Sequence, residues 1–185
     1  MRAKVGWRAA LVLTIFGVVV GCGGDDPEAA FDRLHAALAA GDPSVLYDAL
    51  DTDSRWAVDS TWGYHREIAT AAATMPEGAR AKLMARVGLA AQAPTAAAWF
   101  GARAAELAPL ALLGGSVAGL GTRTKLAVDG ARATVTTSTG LAVPFVKGPD
   151  GKWGWSGLAE RLAGEKGSAA NDAARVKEDV ERLAR

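Results

Sequence analysis

"LAVDGARATV", residues 126–135, decides how this chain folds. Leu126 and Val128 alternate with their neighbours before Asp129-Gly130, and Ala133 and Val135 alternate after it. A period of two marks half-buried strands, and Asp-Gly between two such runs marks a tight hairpin. The pattern continues toward the C-terminus. Ser138-Thr139-Gly140 turns the chain again, and Leu141, Val143 and Phe145 alternate beyond it. Pro144 lacks an N–H, so it limits that ladder or places the strand at an edge. Gly148-Pro149-Asp150-Gly151 makes a third turn before Trp153 and Trp155. Residues 121–158 therefore read as a four-stranded antiparallel meander with one apolar face. That face is Leu126, Val128, Ala133, Val135, Leu141, Val143, Phe145, Trp153 and Trp155. It needs a cover, and the upstream segments are the helices available to supply one.

Those segments carry clear start signals. Asp26-Pro27-Glu28 provides an N-cap, a proline at the first helical position and an acid in the first turn. Phe31, Leu34 and Leu38 follow at helical spacing, and Gly41 stops the run. Asp42-Pro43 repeats the start, with Val45, Leu46, Ala49 and Leu50 as its buried side. Residues 51–54 cap a third helix whose stripe is Val58, Trp62, His65, Ala69 and Ala72. Gly63 weakens that helix by about 1 kcal/mol. Pro76-Glu77 opens a fourth, expected to end near Val87-Gly88. A fifth is expected from about Pro94 to Leu113, kinked at Pro109 and stopped by Gly114-Gly115. The uncharged runs 87–102 and 107–122 have 16 residues each, too few for a membrane span, and read as buried helix. Residues 164–168 read as a linker. Ala173, Val176, Val180 and Leu183 then form one stripe of a terminal helix, docked on the domain or fraying in solvent, with a partner-binding helix as the alternative.

The N-terminus has a different character. Arg2, Lys4 and Arg8 precede an apolar run of 12 residues, 9–20, and small residues follow. Charge, apolar run and small residues, in that order, make a signal peptide, and 12 helical residues are too short to span a bilayer. The sequence Val19-Val20-Gly21-Cys22 resembles the bacterial lipobox. That resemblance implies a diacylglycerol on the Cys22 sulfur, cleavage after Gly21, and a further acyl chain such as palmitate on the new amino group. Cys22 is the single cysteine, so the chain has no internal disulfide. On this reading residues 1–21 are a lipoprotein signal peptide and 22–26 a lipidated tether kept in water by Asp25 and Asp26. Residues 27–163 are the folded domain, and 164–185 a linker and C-terminal amphipathic helix. The chain carries 21 basic and 20 acidic residues; losing Arg2, Lys4 and Arg8 leaves 18 against 20. Neither balance suits nucleic acid or adhesion to an anionic membrane without a lipid.

Amphipathic helices containing "AFDRLHAALAAGDPSVLYDAL", then a meander with "VDGARATV" and "DGKWGW", resemble small lipid-anchored members of the NTF2-like superfamily. That resemblance spans about residues 27–160. It implies an α+β, cystatin-like cone in which helices pack in the concavity of a curved sheet. Enzymes of the superfamily place acids, histidines or tyrosines inside the cone, but no residue on the apolar sheet face titrates. The remaining candidates for proton transfer are Tyr47, Asp48, Asp59, Tyr64, His65 and Glu67 on helices. His65 is the sharpest, since it falls on an apolar stripe; a satisfied boundary histidine is the plainer reading, and more so for His35. No zinc set, EF-hand loop, phosphate-binding glycine loop or serine elbow occurs, so no metal or cofactor is expected. The tryptophans read mainly as core. Their functional alternative is a pocket lined by Trp56, Trp62, Tyr64, His65, Trp99, Phe145, Trp153 and Trp155.

The sequence thus leads to an expected lipoprotein of the bacterial cell envelope, with the outer membrane preferred over the inner. Its domain is expected to be a non-catalytic binding module for a small apolar ligand or an envelope protein. The alternatives are an isomerase or dehydratase using His65 or a nearby acid, and a structural envelope component.

Overall fold

The computed structural model describes residues 25–103 and 117–183. The chain is α+β. Helices α1 (Pro27–Ala40), α2 (Pro43–Ala49), α3 (Thr52–Ala72), α4 (Glu77–Gln92), α5 (Ala96–Arg103) and α6 (Val117–Leu120) precede the strands. Strands β1 (Arg123–Asp129), β2 (Arg132–Thr137), β3 (Ala142–Lys147) and β4 (Trp153–Trp155) form one sheet, and α7 (Ala159–Leu183) follows. The sheet is the expected consecutive antiparallel meander, in the order β1-β2-β3-β4. Gly130, at φ 57°, supplies the left-handed backbone of the first hairpin turn. Pro144 limits a ladder as expected: β4 pairs only with Phe145, Val146 and Lys147.

Carboxylates start the first three helices. Asp26 accepts from the Ala29 N–H at 2.7 Å, and Asp42 accepts from the Ser44 N–H at 2.9 Å. Asp51 accepts from the N–H groups of Asp53 and Ser54 at 3.0 and 3.1 Å, and from the Ser54 hydroxyl at 2.5 Å. These acceptors satisfy donors that the first helical turn cannot pair itself.

Helix α1 covers the sheet. Phe31, Leu34 and Ala37 are buried with Val135, Val143, Phe145, Trp153 and Trp155, and Phe31 meets Phe145 edge-on at 6.5 Å. The sheet joins α3 through a close backbone contact. Leu50 bridges Trp155, the Asp51 N–H donates to the Trp155 carbonyl at 3.0 Å, and Gly154 lies against Leu50 and Asp51. Helix α7 starts just after this junction and runs beside α3. Lys166 sits over Trp56 near the start of both helices, and Val176 joins Ile68, Met75 and Val87 near their far ends. The two helices therefore run parallel, with α4 against them, and this far end has a small core of its own.

Several expectations are corrected. Leu126 and Val128 share a sheet face with Val135 and Ala133, but Val128 is 55 % exposed and Leu126 half-buried. Among the described residues, α1 packs mainly on β2 and β4 and meets β1 at its start, where Glu28 pairs with Arg123, while Val128 at the hairpin end stays exposed. Helix α4 passes through Gly88 and stops at Gln92, before Pro94, because a residue preceding proline disfavours the helical region. The fifth helix begins at Ala96; residues 104–113 of its expected span, with Pro109 and the Gly114-Gly115 stop, lie outside the described residues. Residues 164–168 are not a linker but interior helix of α7, whose packing on α3 outweighs the low helix propensity of Gly164 and Gly167. Nor are Asp25 and Asp26 free tether: one is bound to the sheet and the other caps α1.

Candidate functional site

Helices α3, α4, α5 and α7 border an open cleft of about 580 Å³, lined by Thr61, His65, Arg86, Val87, Arg103, Gly164, Glu165, Ser168, Ala169 and Asp172. Each wall has a local cause. The small residues of α7 leave room where longer side chains would close the gap. Thr61 is buried, and its hydroxyl donates back to the Ala57 carbonyl at 2.7 Å, so it presents its methyl group rather than a free donor. His65 stands half-buried, its ring edge-on to buried Trp99 with centroids 5.5 Å apart.

Two ion pairs flank the imidazole. Arg103 Nη1 donates to Glu165 Oε2 at 3.1 Å and its guanidinium lies 4.7 Å from the centre of the Trp99 ring. Glu165 also accepts from Arg161 Nε at 3.2 Å. Arg86 pairs with Asp172. Burial, first, and then the charges of Arg103 and Arg86 hold the His65 pKa below its usual value; Asp172 and Glu165 oppose that only in part. The surroundings therefore favour the neutral imidazole over the charged one. Among the described residues it makes no hydrogen bond to a carboxylate, and both nearby acids pair with arginines.

The other sequence candidates are scattered. Tyr64 and Glu67 line a separate groove with Ala71 of α3 and Ala173, Lys177 and Val180 of α7. The Trp62 indole donates to the Ala90 carbonyl at 3.1 Å, with Arg66 over its ring. Trp56 is 60 % exposed beneath Lys166, whose Nζ is 3.7 Å from the ring centre. Phe145, Trp153 and Trp155 are buried in the sheet core. Of the eight residues expected to line one aromatic pocket, the structure brings His65 and Trp99 together at this cleft. Tyr47 donates to Asp59 at 2.7 Å, and burial followed by that bond raises its pKa. Asp48 borders a different cleft, at the foot of α1. His35 packs beside Phe31, and Cys22 lies outside the described residues. No cluster of His, Cys, Asp or Glu among the described residues could hold a metal ion.

Comparison of the chain with protein families, curated proteins and solved structures finds no match. The site therefore stands on its own residues. Sequence reasoning missed Arg86, Arg103, Glu165, Ser168 and Asp172, which come from three helices distant in the chain. One signal was present: the small residues at 164 and 168, four apart, belong on one face if residues 159–183 are helical.

Proposed function

We propose that this chain is a lipid-anchored protein of the bacterial envelope whose domain binds a small ligand at the His65 cleft without transforming it. The observation that carries the binding reading is the placement of His65. It is half-buried and faces a cleft of about 580 Å³, yet the two acids that could orient it are engaged by Arg103 and Arg86. A base gains from a partner that fixes its tautomer and stabilises its charged form, and with both acids engaged by arginines this arrangement favours recognition over proton transfer. Val87 and Ala169 offer apolar contact, and Arg86 and Arg103 are already matched by Asp172 and Glu165, which suits a small apolar molecule.

The anchor rests on Val19-Val20-Gly21-Cys22 after a basic and apolar leader. No helix among the described residues is long and apolar enough to cross a membrane. Acyl chains can supply the attachment, at roughly 0.8 kcal/mol for each buried CH₂. An NTF2-like cone remains the finer reading of the fold; consecutive strand pairing and α1 on the sheet support it.

Membrane fractionation of the native host and thermal-shift screening test the two halves. Wild-type protein should stay with membranes in high salt and leave them in detergent, whereas Cys22→Ser should be released. Small apolar molecules should raise the melting temperature of the wild type, and Ser168→Trp, which fills the cleft, should abolish the rise. Turnover of any such molecule, lost in His65→Gln, would overturn the non-catalytic reading.

A further inference from the structure

We propose that the surface around Asp25, Arg33, Arg55 and Lys152 is the membrane-facing side of the domain, held against phospholipid headgroups by a two-residue leash. This rests on the lipidation of Cys22 proposed above. Asp25 is clamped into the fold: Arg33 Nη1 donates to it at 2.5 Å, and the Trp153 N–H of β4 donates to its other oxygen. Arg33 Nη2 also donates to the Trp153 carbonyl at 2.6 Å, so α1, β4 and Asp25 form one knot. Only Gly23 and Gly24 separate this knot from Cys22. Three Cα–Cα steps of 3.8 Å let Asp25 stand at most about 11 Å from Cys22. The headgroup layer of one leaflet is itself about 5–8 Å thick. The clamped end therefore lies at the headgroups or just above them.

A cleft of about 280 Å³ opens at this end, lined in part by Asp25, Arg33, Asp48, Thr52, Arg55 and Lys152. Arg55 Nε is buried there with no hydrogen-bond partner among the described residues. Asp25, Asp48 and Asp51 balance Arg33, Arg55 and Lys152 on its walls, so the cleft does not select anionic lipid. A zwitterionic headgroup, with one phosphate and one ammonium, matches both signs. The leash, by raising effective concentration, supplies the attachment. Lys177 faces the far part of α3 beside Ala71, about 28 Å along that helix from Thr52. Lys82 adjoins Leu83, which packs on the same far core.

Lysine footprinting of full-length protein, processed in its host and reconstituted in phosphatidylcholine vesicles, tests this. A membrane-impermeant acylating reagent should modify Lys152 several-fold more slowly on vesicles than in detergent, with Lys82 and Lys177 little changed. Adding phosphatidylglycerol should not alter the protection. Inserting about 20 Gly/Ser residues after Gly24, with a mean span of about 25 Å, should relieve it. Lys152 reacting at its detergent rate, or protected only with phosphatidylglycerol present, overturns the proposal. The same digest gives the mass of the Cys22 peptide. A lipidated peptide with unprotected Lys152 sinks the orientation alone, while an unlipidated one sinks the anchor and the orientation with it.

Discussion

Gly154→Ala adds a methyl group where the sheet meets the start of α3. A Cβ there would lie 2.5 Å from the Asp51 nitrogen and from the Leu50 carbonyl oxygen. Ordinary contacts begin near 3.4 Å, so the two backbones must part by most of an ångström. Neither can yield cheaply. Leu50 and Asp51 are buried, and the Asp51 N–H already donates to the Trp155 carbonyl at 3.0 Å. Overpacking of this kind costs about 1–3 kcal/mol, and a strained hydrogen bond about 1 kcal/mol more. Against that, alanine restricts the unfolded chain by about 0.4–1 kcal/mol relative to glycine. The net expectation is a loss of about 2–3 kcal/mol, or roughly 5–10 °C in melting temperature for a chain of this size. Gly167→Ala is the matched control. It is exposed within α7, and nothing lies within 4 Å of its added methyl group. Helix propensity then predicts a gain of about 0.5–1 kcal/mol. Urea unfolding followed by tryptophan fluorescence measures both changes. Equal and small effects of the two substitutions would refute the packed junction, and a loss of stability in Gly167→Ala would refute the continuous helix.

Asp51→Ala should cost about 2 kcal/mol in the same assay, since it removes the α3 cap and leaves the buried Ser54 hydroxyl without its acceptor. An effect below about 0.5 kcal/mol would contradict that role. His65 gives a pH signature. Its folded pKa lies below the usual 6.5, so the unfolded chain takes up the proton first as pH falls. The stability contributed by the neutral ring is complete above about pH 6.5 and declines as pH drops from there toward the folded pKa. Between pH 7.5 and 5.5 the wild type should therefore lose more stability than His65→Gln; identical losses would show that the ring is not desolvated. Val128→Thr should change stability by less than about 0.5 kcal/mol, and Val135→Thr should cost about 1–3 kcal/mol, because only the second buries a hydroxyl. Comparable costs would mean that Val128 is buried after all.

The meander was legible because each of its signals is local. Asp129-Gly130, Gly140 and Gly148–Gly151 each mark a turn, and the strands between them alternate. The caps at Asp26, Asp42 and Asp51 were legible for the same reason: a carboxylate acts within three residues of itself. Burial was less so. Leu126 and Val128 have the right period, but period fixes the face of a strand and not whether a helix reaches it. Residues 164–168 misled for a related reason, since glycine lowers helix propensity by about 1 kcal/mol while tertiary packing contributes more. The cleft was least legible. His65 was found from its place on a stripe, but Arg86, Arg103, Glu165 and Asp172 meet only because α7 returns beside α3, and no local pattern records that pairing. Asp25 shows the same limit at smaller scale: beside two glycines it reads as solvated, yet its partners are Arg33 and the backbone of Trp153.

The attachment of the chain to a membrane is tested most directly by the intact mass of the protein purified from membranes of its native host. A chain beginning at Cys22, heavier than residues 22–185 by a diacylglycerol with or without a third acyl group, is the expected result. A chain that keeps residues 1–21, or one that begins at Cys22 with a free thiol, would contradict it.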